Sequence, residues 1–166
     1  MTVAGIDFSS FQINIVILSE DDDTATHHEI KFGRKGQDAF DRARTVREAM
    51  PSRSWWEDHG VIAIGIEDPR GPHRNVDSVI YRVQGAILAC IPPELMVKPW
   101  KPQEWRKAIG VSHKGKESLA AFAVARWPGL NYRYMDGVLV EPSQDACDAY
   151  CMAWATRGQI VIAEAA

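Results

Sequence analysis

Hydrophobic residues in the first part of the chain recur in short runs that predict three β-strands. Residues 3–7 and 13–18 are apolar and rich in β-branched side chains, and residues 8–12 between them suit a hairpin turn. Over residues 28–32 apolar and polar side chains alternate, which is the period of a strand with one covered face. Three strands in close succession predict an antiparallel meander.

Beyond residue 35 the pattern predicts helices that alternate with strands. A continuous apolar run at 61–66 suits a strand buried on both faces, and a shorter run at 95–97 predicts a fifth strand. Residues 131–141 show no clear period and are predicted to be a loop. Apolar residues recur at helical spacing in four segments, namely residues 36–50, 76–87, 119–127 and 147–154. The expected fold is therefore α/β, a mixed sheet with helices on both faces.

Length and composition narrow the class of protein. A chain of 166 residues with 46% hydrophobic and 25% charged residues has the balance of a globular protein, and we expect one domain over residues 1–166. No apolar run approaches the roughly 20 residues that a membrane-spanning helix needs, and residues 1–7 do not resemble a signal peptide. Three cysteines leave one unpaired in any disulfide scheme, so a reduced, cytoplasmic protein is expected.

Positive charge is concentrated in one segment of an otherwise acidic chain. The net charge is -3, yet residues 98–116 carry six lysine or arginine residues against one glutamate. This segment is either a contact for a polyanion or a solvated basic surface. Trp100 and Trp105 lie within it, where they would either stack on nucleic-acid bases or pack in the core.

Four carboxylates stand out by their positions. Asp7 and Glu67 end two predicted strands, so they share an edge of the sheet if those strands are neighbours. Asp145 and Asp148 are three residues apart near the start of the last helix and lie on one helix face, with Ser143 as the expected N-cap. Either pair alone is typical of ordinary strand ends and helix starts.

Together the four acids predict a site for hard divalent cations. Carboxylates that converge without partners raise one another's pKa, and Mg²⁺ relieves that repulsion because it prefers oxygen ligands. Two such ions about 3.5–4 Å apart activate water and stabilise the leaving oxygen in phosphodiester cleavage. Zinc is not expected, since Cys147 and Cys151 lie on the apolar face of the last helix.

Seven blocks of sequence, in order along nearly the whole chain, carry a resemblance to one family. The blocks are GIDFSS at 5–10, IGIED at 64–68, NVDS at 75–78, QGAI at 84–87, WRKAIG at 105–110, KGKES at 114–118 and DACDAY at 145–150. They resemble the RuvC-type Holliday-junction resolvases of the RNase H-like nuclease superfamily. A divergent version carried by a phage or mobile element would suit the sequence, with the cytoplasm of a bacterial or phage-infected cell as its location.

The resemblance implies a fold, a chemistry and an assembly. The fold is an RNase H-like sheet of five strands in the order 3-2-1-4-5. Asp7, Glu67, Asp145 and Asp148 would hold two Mg²⁺ ions, with Mn²⁺ as a substitute, and Lys116 would act near the scissile phosphate. A homodimer would nick a four-way junction symmetrically during DNA recombination and repair.

The resemblance also implies DNA contacts. Residues 68–74 lack the aromatic side chain that bacterial family members wedge into the junction, so cleavage of forks and flaps as well as four-way junctions is expected. Arg106 and Lys107 are alternatives for one basic position of the family. The full set of expected DNA contacts is Arg70, His73, Arg74, Arg106, Lys107, Lys114 and Lys116.

Other functions stay open at this point. A nuclease for RNA/DNA hybrids would have the same fold, because fold does not determine substrate. A non-catalytic protein that binds branched DNA is a further alternative. The segment 5–10 also resembles the first phosphate motif of actin-like ATPases and sugar kinases, but those proteins need a far longer chain and a second phosphate motif.

Overall fold

The five predicted strands form one mixed sheet in a computed structural model of the chain. The structure describes residues 1–20, 25–34, 36–69, 78–111, 116–127, 133–135, 138–140 and 143–164. The strands are β1 (Thr2–Phe8), β2 (Gln12–Leu18), β3 (Ala25–Lys31), β4 (Val61–Glu67) and β5 (Met96–Trp100). Their order is β3-β2-β1-β4-β5. The first three strands pair antiparallel, and β4 and β5 continue the sheet in parallel, so the expected topology is confirmed.

Six helices are described. They are α1 (Ala39–Ala49), α2 (Arg53–Asp58), α3 (Ser78–Cys90), α4 (Pro102–Ala108), α5 (Lys116–Arg126) and α6 (Gln144–Glu164). The four predicted helices correspond to α1, α3, α5 and α6, whereas α2 and α4 were missed because six or seven residues span too little of the helical period. Among the helices that the structure describes, none combines the length and apolar character needed to cross a membrane.

The prediction of a loop over residues 131–141 was wrong in part. Two short strands, β6 (Arg133–Met135) and β7 (Val138–Val140), pair antiparallel within that segment. Strands of three residues are too short to show an alternating pattern in sequence.

The sheet has a core on each face. Ile6 and Ile66 belong to the core on the side of α1 and α3, while Val3 belongs to the core that includes α6. Side chains alternate between the two faces along a strand, so Asp7 and Glu67, one residue after those isoleucines, face the side of α6.

The tryptophans and cysteines of the α6 side are structural. Trp100 and Trp105 are 5% and 2% exposed and pack in the core of that side, which rules out the alternative that they stack on bases. Cys147 and Cys151 are buried in the same core, as predicted, and all three cysteines are free thiols.

Helix α6 lies against the sheet at two glycines. A Cβ added to Gly5 on β1 would stand 1.8 Å from the backbone oxygen of Ala149. A Cβ added to Gly65 on β4 would stand 2.3 Å from Thr156 Oγ1 and 2.9 Å from the backbone oxygen of Met152. These distances are far inside van der Waals contact, so the close approach of α6 requires glycine on both strands.

Gly5→Ala is expected to lower the free energy of unfolding by about 3 kcal/mol or more, because either the strand or the helix must shift. Urea denaturation followed by circular dichroism measures the change. Gly158→Ala on the exposed face of α6 is the control, since its Cβ meets nothing within 4 Å. The control should be neutral or stabilising by up to about 1 kcal/mol. Equal stability of the two variants would contradict the proposed packing.

Candidate active site

Asp7 and Glu67 lie side by side at the carboxyl ends of two parallel strands. The register pairs Gly5 with Gly65 and Ile6 with Ile66, so the two acids follow at matching positions. Asp7 is only 8% exposed and Glu67 is half-buried. Glu67 is close enough to Asp7 for its carboxyl group to act on the pKa of Asp7.

Asp145 and Asp148 lie in the first two turns of α6. The expected N-cap is present, because Ser143 Oγ accepts a hydrogen bond of 3.1 Å from the Ala146 amide. Asp148 Oδ1 accepts a hydrogen bond of 2.8 Å from Gln144 Nε2, which orients the carboxylate. Asp148 directly precedes Ala149, the residue whose backbone lies against Gly5, so the helix brings it towards Asp7.

The neighbouring acids raise the pKa values of Asp7 and Asp148. Burial raises the pKa of Asp7 well above its usual range, and the hydrogen bond and charge of Glu67, followed by the charges of Asp148 and Asp145, raise it further. Burial is also the main cause that raises the pKa of Asp148 to about 6. The structure therefore places Glu67, Asp145 and Asp148 close enough to Asp7 for their charges to act on it, while the metal-binding and catalytic roles of all four stay predictions.

The donor set fits a hard divalent cation in its chemistry. Carboxylate oxygens are the ligands that Mg²⁺ and Mn²⁺ prefer, and a cation would relieve the repulsion that raises these pKa values. Within the described residues, however, no group of three or more His, Cys, Asp or Glu side chains is arranged so that it could hold a metal ion. Cation binding would therefore require these side chains to move closer together.

A positively charged side chain, that of Arg106, lies near Asp148. Arg106 in α4 lowers the pKa of Asp148, whereas Lys107 has no such effect and is exposed. Arg106 Nε is buried and has no hydrogen-bond partner among the described residues, and the guanidinium carbon lies 5.1 Å from the centroid of the Trp105 ring. Of the two alternatives for one basic family position, Arg106 is therefore the one beside the acids.

The remaining predicted basic residues are not placed by the structure. The backbone of Lys116 begins α5, but its side chain is not among those described. Arg70, His73, Arg74 and Lys114 lie outside the described residues. Their contacts with DNA, and the action of Lys116 near the scissile phosphate, stay predictions.

Two polar residues support the site without having been assigned a role from sequence. Asn14 pairs with Asp7 in the β1–β2 register, is 1% exposed, and has its Oδ1 within 2.9 Å of His27 Nε2. Gln84 Nε2 donates a hydrogen bond of 3.0 Å to the Glu67 backbone oxygen and thereby fastens α3 to the end of β4. A lone amide within the apolar run 13–18 was the available signal for Asn14.

Sequence comparison finds no relative of this chain, whereas comparison with solved structures finds proteins of the same fold. No protein-family model matches the chain, and no curated protein matches its sequence. A mixed sheet in the order 3-2-1-4-5 with helices on both faces defines an RNase H-like α/β protein.

Among solved structures, two of RuvC resemble this chain over nearly its whole length. RuvC from Thermus thermophilus superposes with a TM-score of 0.72 over 98% of this chain and 97% of its own, at 17% identity. RuvC from the same organism in complex with a Holliday junction substrate gives a TM-score of 0.70 over 98% and 96%, at 15% identity. The chain therefore has a RuvC-like fold.

Asp148→Asn is expected to stabilise the metal-free protein at high pH. Because the pKa of Asp148 rises from about 4 to about 6 on folding, the folded state holds more protons between these values, and its stability falls as pH rises through them. The variant should therefore exceed the wild type by about 2–3 kcal/mol at pH 8 and by much less at pH 4.

Urea denaturation in EDTA at pH 4 and pH 8 measures this difference. Asp58→Asn, at an exposed acid in α2, is the matched control and should show no such pH-dependent gain. A gain for Asp148→Asn that is equal at both pH values would contradict the electrostatic account of the site.

Proposed function

We propose that the protein is a divalent-metal-dependent endonuclease that resolves four-way DNA junctions and cuts other branched DNA. The observation that carries the proposal is that acids at the carboxyl ends of β1 and β4 and in the first two turns of α6 act on the buried Asp7, within a RuvC-like fold. A structural neighbour was solved with a Holliday junction substrate, which supports branched DNA as the substrate here.

Asp7, Glu67, Asp145 and Asp148 would hold Mg²⁺, with Mn²⁺ as a substitute and two ions per site. When bound, the ions supply an activated water and stabilise the leaving oxygen. The chain's own contribution is to bury Asp7, to keep water from the floor of the site and to orient Asp148 through Gln144.

Basic side chains would offset the charge of the acids and of the substrate. Arg106 lies beside Asp148 and would bring positive charge to the bound phosphate. We assign Lys116 to the charge that develops on the phosphate during cleavage. The other proposed phosphate contacts are Arg70, His73, Arg74, Lys107 and Lys114.

We further propose that residues 1–166 form one nuclease domain that acts as a homodimer. Tyr81, Gly85 and Leu88 are spaced along one face of α3, and the two large side chains are 41% and 40% exposed. A two-fold axis there would present two acid sites to a junction and give paired, symmetric nicks. We place this activity in the cytoplasm of a bacterial or phage-infected cell.

A second candidate is a non-catalytic protein that binds branched DNA. It is favoured by one observation, that no described group of three acidic, histidine or cysteine side chains is arranged to hold a metal. Such a protein would bind a junction without forming any product.

Asp7→Asn is expected to reduce nicking of an immobile four-way junction by about a hundredfold or more while junction binding is retained. The assay compares the junction with a duplex of matched sequence in Mg²⁺, Mn²⁺ and EDTA, and reads products on a denaturing gel. Asp58→Asn should cut like the wild type. Full activity of Asp7→Asn would disprove the site, and binding without cleavage by every form would favour the non-catalytic candidate.

Arg106→Met is expected to lower the cleavage rate at saturating junction by at least about tenfold, because it removes positive charge beside the acids. Lys107→Met, its exposed neighbour, should instead weaken binding slightly and flatten its salt dependence. Single-turnover rates and binding titrations at two salt concentrations separate the effects. Equal rates for the two variants would contradict the placement of Arg106.

A further inference from the structure

Two phenylalanine side chains are exposed, each beside an arginine, one in the β1–β2 turn and one at the start of α1. Phe11 in the β1–β2 turn is 39% exposed, and Phe40 in the first turn of α1 is 75% exposed. The guanidinium carbon of Arg42 lies 4.5 Å from the centroid of the Phe11 ring, and that of Arg82 lies 4.3 Å from the centroid of the Phe40 ring. We call these four side chains the aromatic–arginine surface.

The Phe11 part of this surface lies at the edge of the sheet that carries the acids. The β1–β2 turn begins two residues after Asp7, and β3 ends beside it, with the Phe32 amide bonded to the Phe11 oxygen. Arg42 is 8% exposed and donates through Nη1 to the Ser10 backbone oxygen at 3.4 Å. The start of α1 is therefore held against the turn that follows Asp7, and α3 supplies Arg82 from its second turn.

The segment that carries Phe40 is a second concentration of positive charge. Residues 31–47 contain six lysine or arginine residues and two aspartates, a net charge of +4 in a chain whose total is -3. One of the aspartates, Asp38, is the N-cap of α1 and accepts hydrogen bonds from the amides of Phe40 and Asp41. The positive charge of Arg82 also lowers the pKa of Asp38. The surface therefore favours a polyanion.

The exposed phenylalanine rings can also stack on the bases of a nucleic acid. An arginine on one face of an exposed ring leaves the other face available, and aromatic faces flanked by cations bind unpaired bases by stacking. The paired bases of a duplex have their faces covered by their neighbours. A Phe40 side chain that is three-quarters exposed adds little to the core, so its contribution to folding is small.

A second copy of the chain fits this surface less well. In a symmetric dimer the same surface faces itself, so the net charge of +4 on residues 31–47 would be placed against an equal charge of the same sign. The alternating rings and cations match a nucleic-acid strand.

We propose that the aromatic–arginine surface binds the unpaired bases of a DNA strand beside the branch point, with Phe40 as the main stacking side chain. The inference rests on the proposed function for the identity of the polymer. It extends that function by assigning recognition of unpaired strands to α1, α3 and the β1–β2 turn.

The test measures binding of the full-length protein in EDTA, where no cleavage takes place. Fluorescence anisotropy compares a labelled fork with single-stranded arms and a blunt duplex of equal length. Phe40→Ala and Phe40→Leu should weaken binding to the fork about tenfold and leave duplex binding within about twofold, whereas Phe40→Trp should bind the fork like the wild type. Ile162→Ala, at an equally exposed apolar residue of α6, is the control and should have no effect.

Three results would overturn the inference. Phe40→Ala could bind the fork like the wild type, or weaken binding to fork and duplex equally, or change the sedimentation coefficient in a way that shows a second copy on this surface. The readout is independent of cleavage. If the wild type never cuts DNA but the fork preference depends on Phe40, only the nuclease proposal fails; if the wild type cuts junctions and Phe40→Ala binds normally, only this inference fails.

Discussion

The close contact of α6 with β1 and β4 is the constraint on which the site depends. Glycine at Gly5 and Gly65 lets the helix backbone approach within a distance that any side chain would prevent. The same contact fixes which turn of α6 faces the ends of the two strands, because Ala149 lies on Gly5 and Asp148 comes just before it. Two pairs of acids that are about 80 to 140 residues apart in sequence thus meet through backbone packing.

That packing places carboxyl groups where they are costly to ionise. Burial and mutual repulsion raise the pKa of Asp7 and Asp148, and the hydrogen bonds from Gln144 and the charge of Arg106 offset only part of the effect on Asp148. A site of this kind loses stability in the absence of a cation and gains it when a cation binds. The chemistry of these carboxylates thus suits a hard cation, while their positions would have to change for three of them to hold one.

Much of the fold could be predicted from sequence, since apolar runs identified all five strands of the main sheet and helical spacing identified four helices. Helices α2 and α4 were missed because six or seven residues complete fewer than two helical turns, and β6 and β7 because three residues show no alternation. The four acids could be identified from sequence because each lies at the end of a predicted strand or near the start of a predicted helix, and such positions depend only on neighbouring residues. The choice between Arg106 and Lys107, the burial of Trp105 and the exposure of Phe40 depend on packing between distant segments, which sequence patterns do not report. The positive charge of residues 31–47 was overlooked because the net charge of the whole chain is negative.

The most direct test of the central claim is a Mn²⁺ titration of the protein followed by electron paramagnetic resonance, with Asp7→Asn measured beside the wild type. The account predicts that the wild type takes up about two Mn²⁺ ions per chain and that Asp7→Asn loses at least one of them. Wild-type protein that binds no Mn²⁺, or an Asp7→Asn variant that binds as much as the wild type, would show that the converged carboxylates are not a metal site.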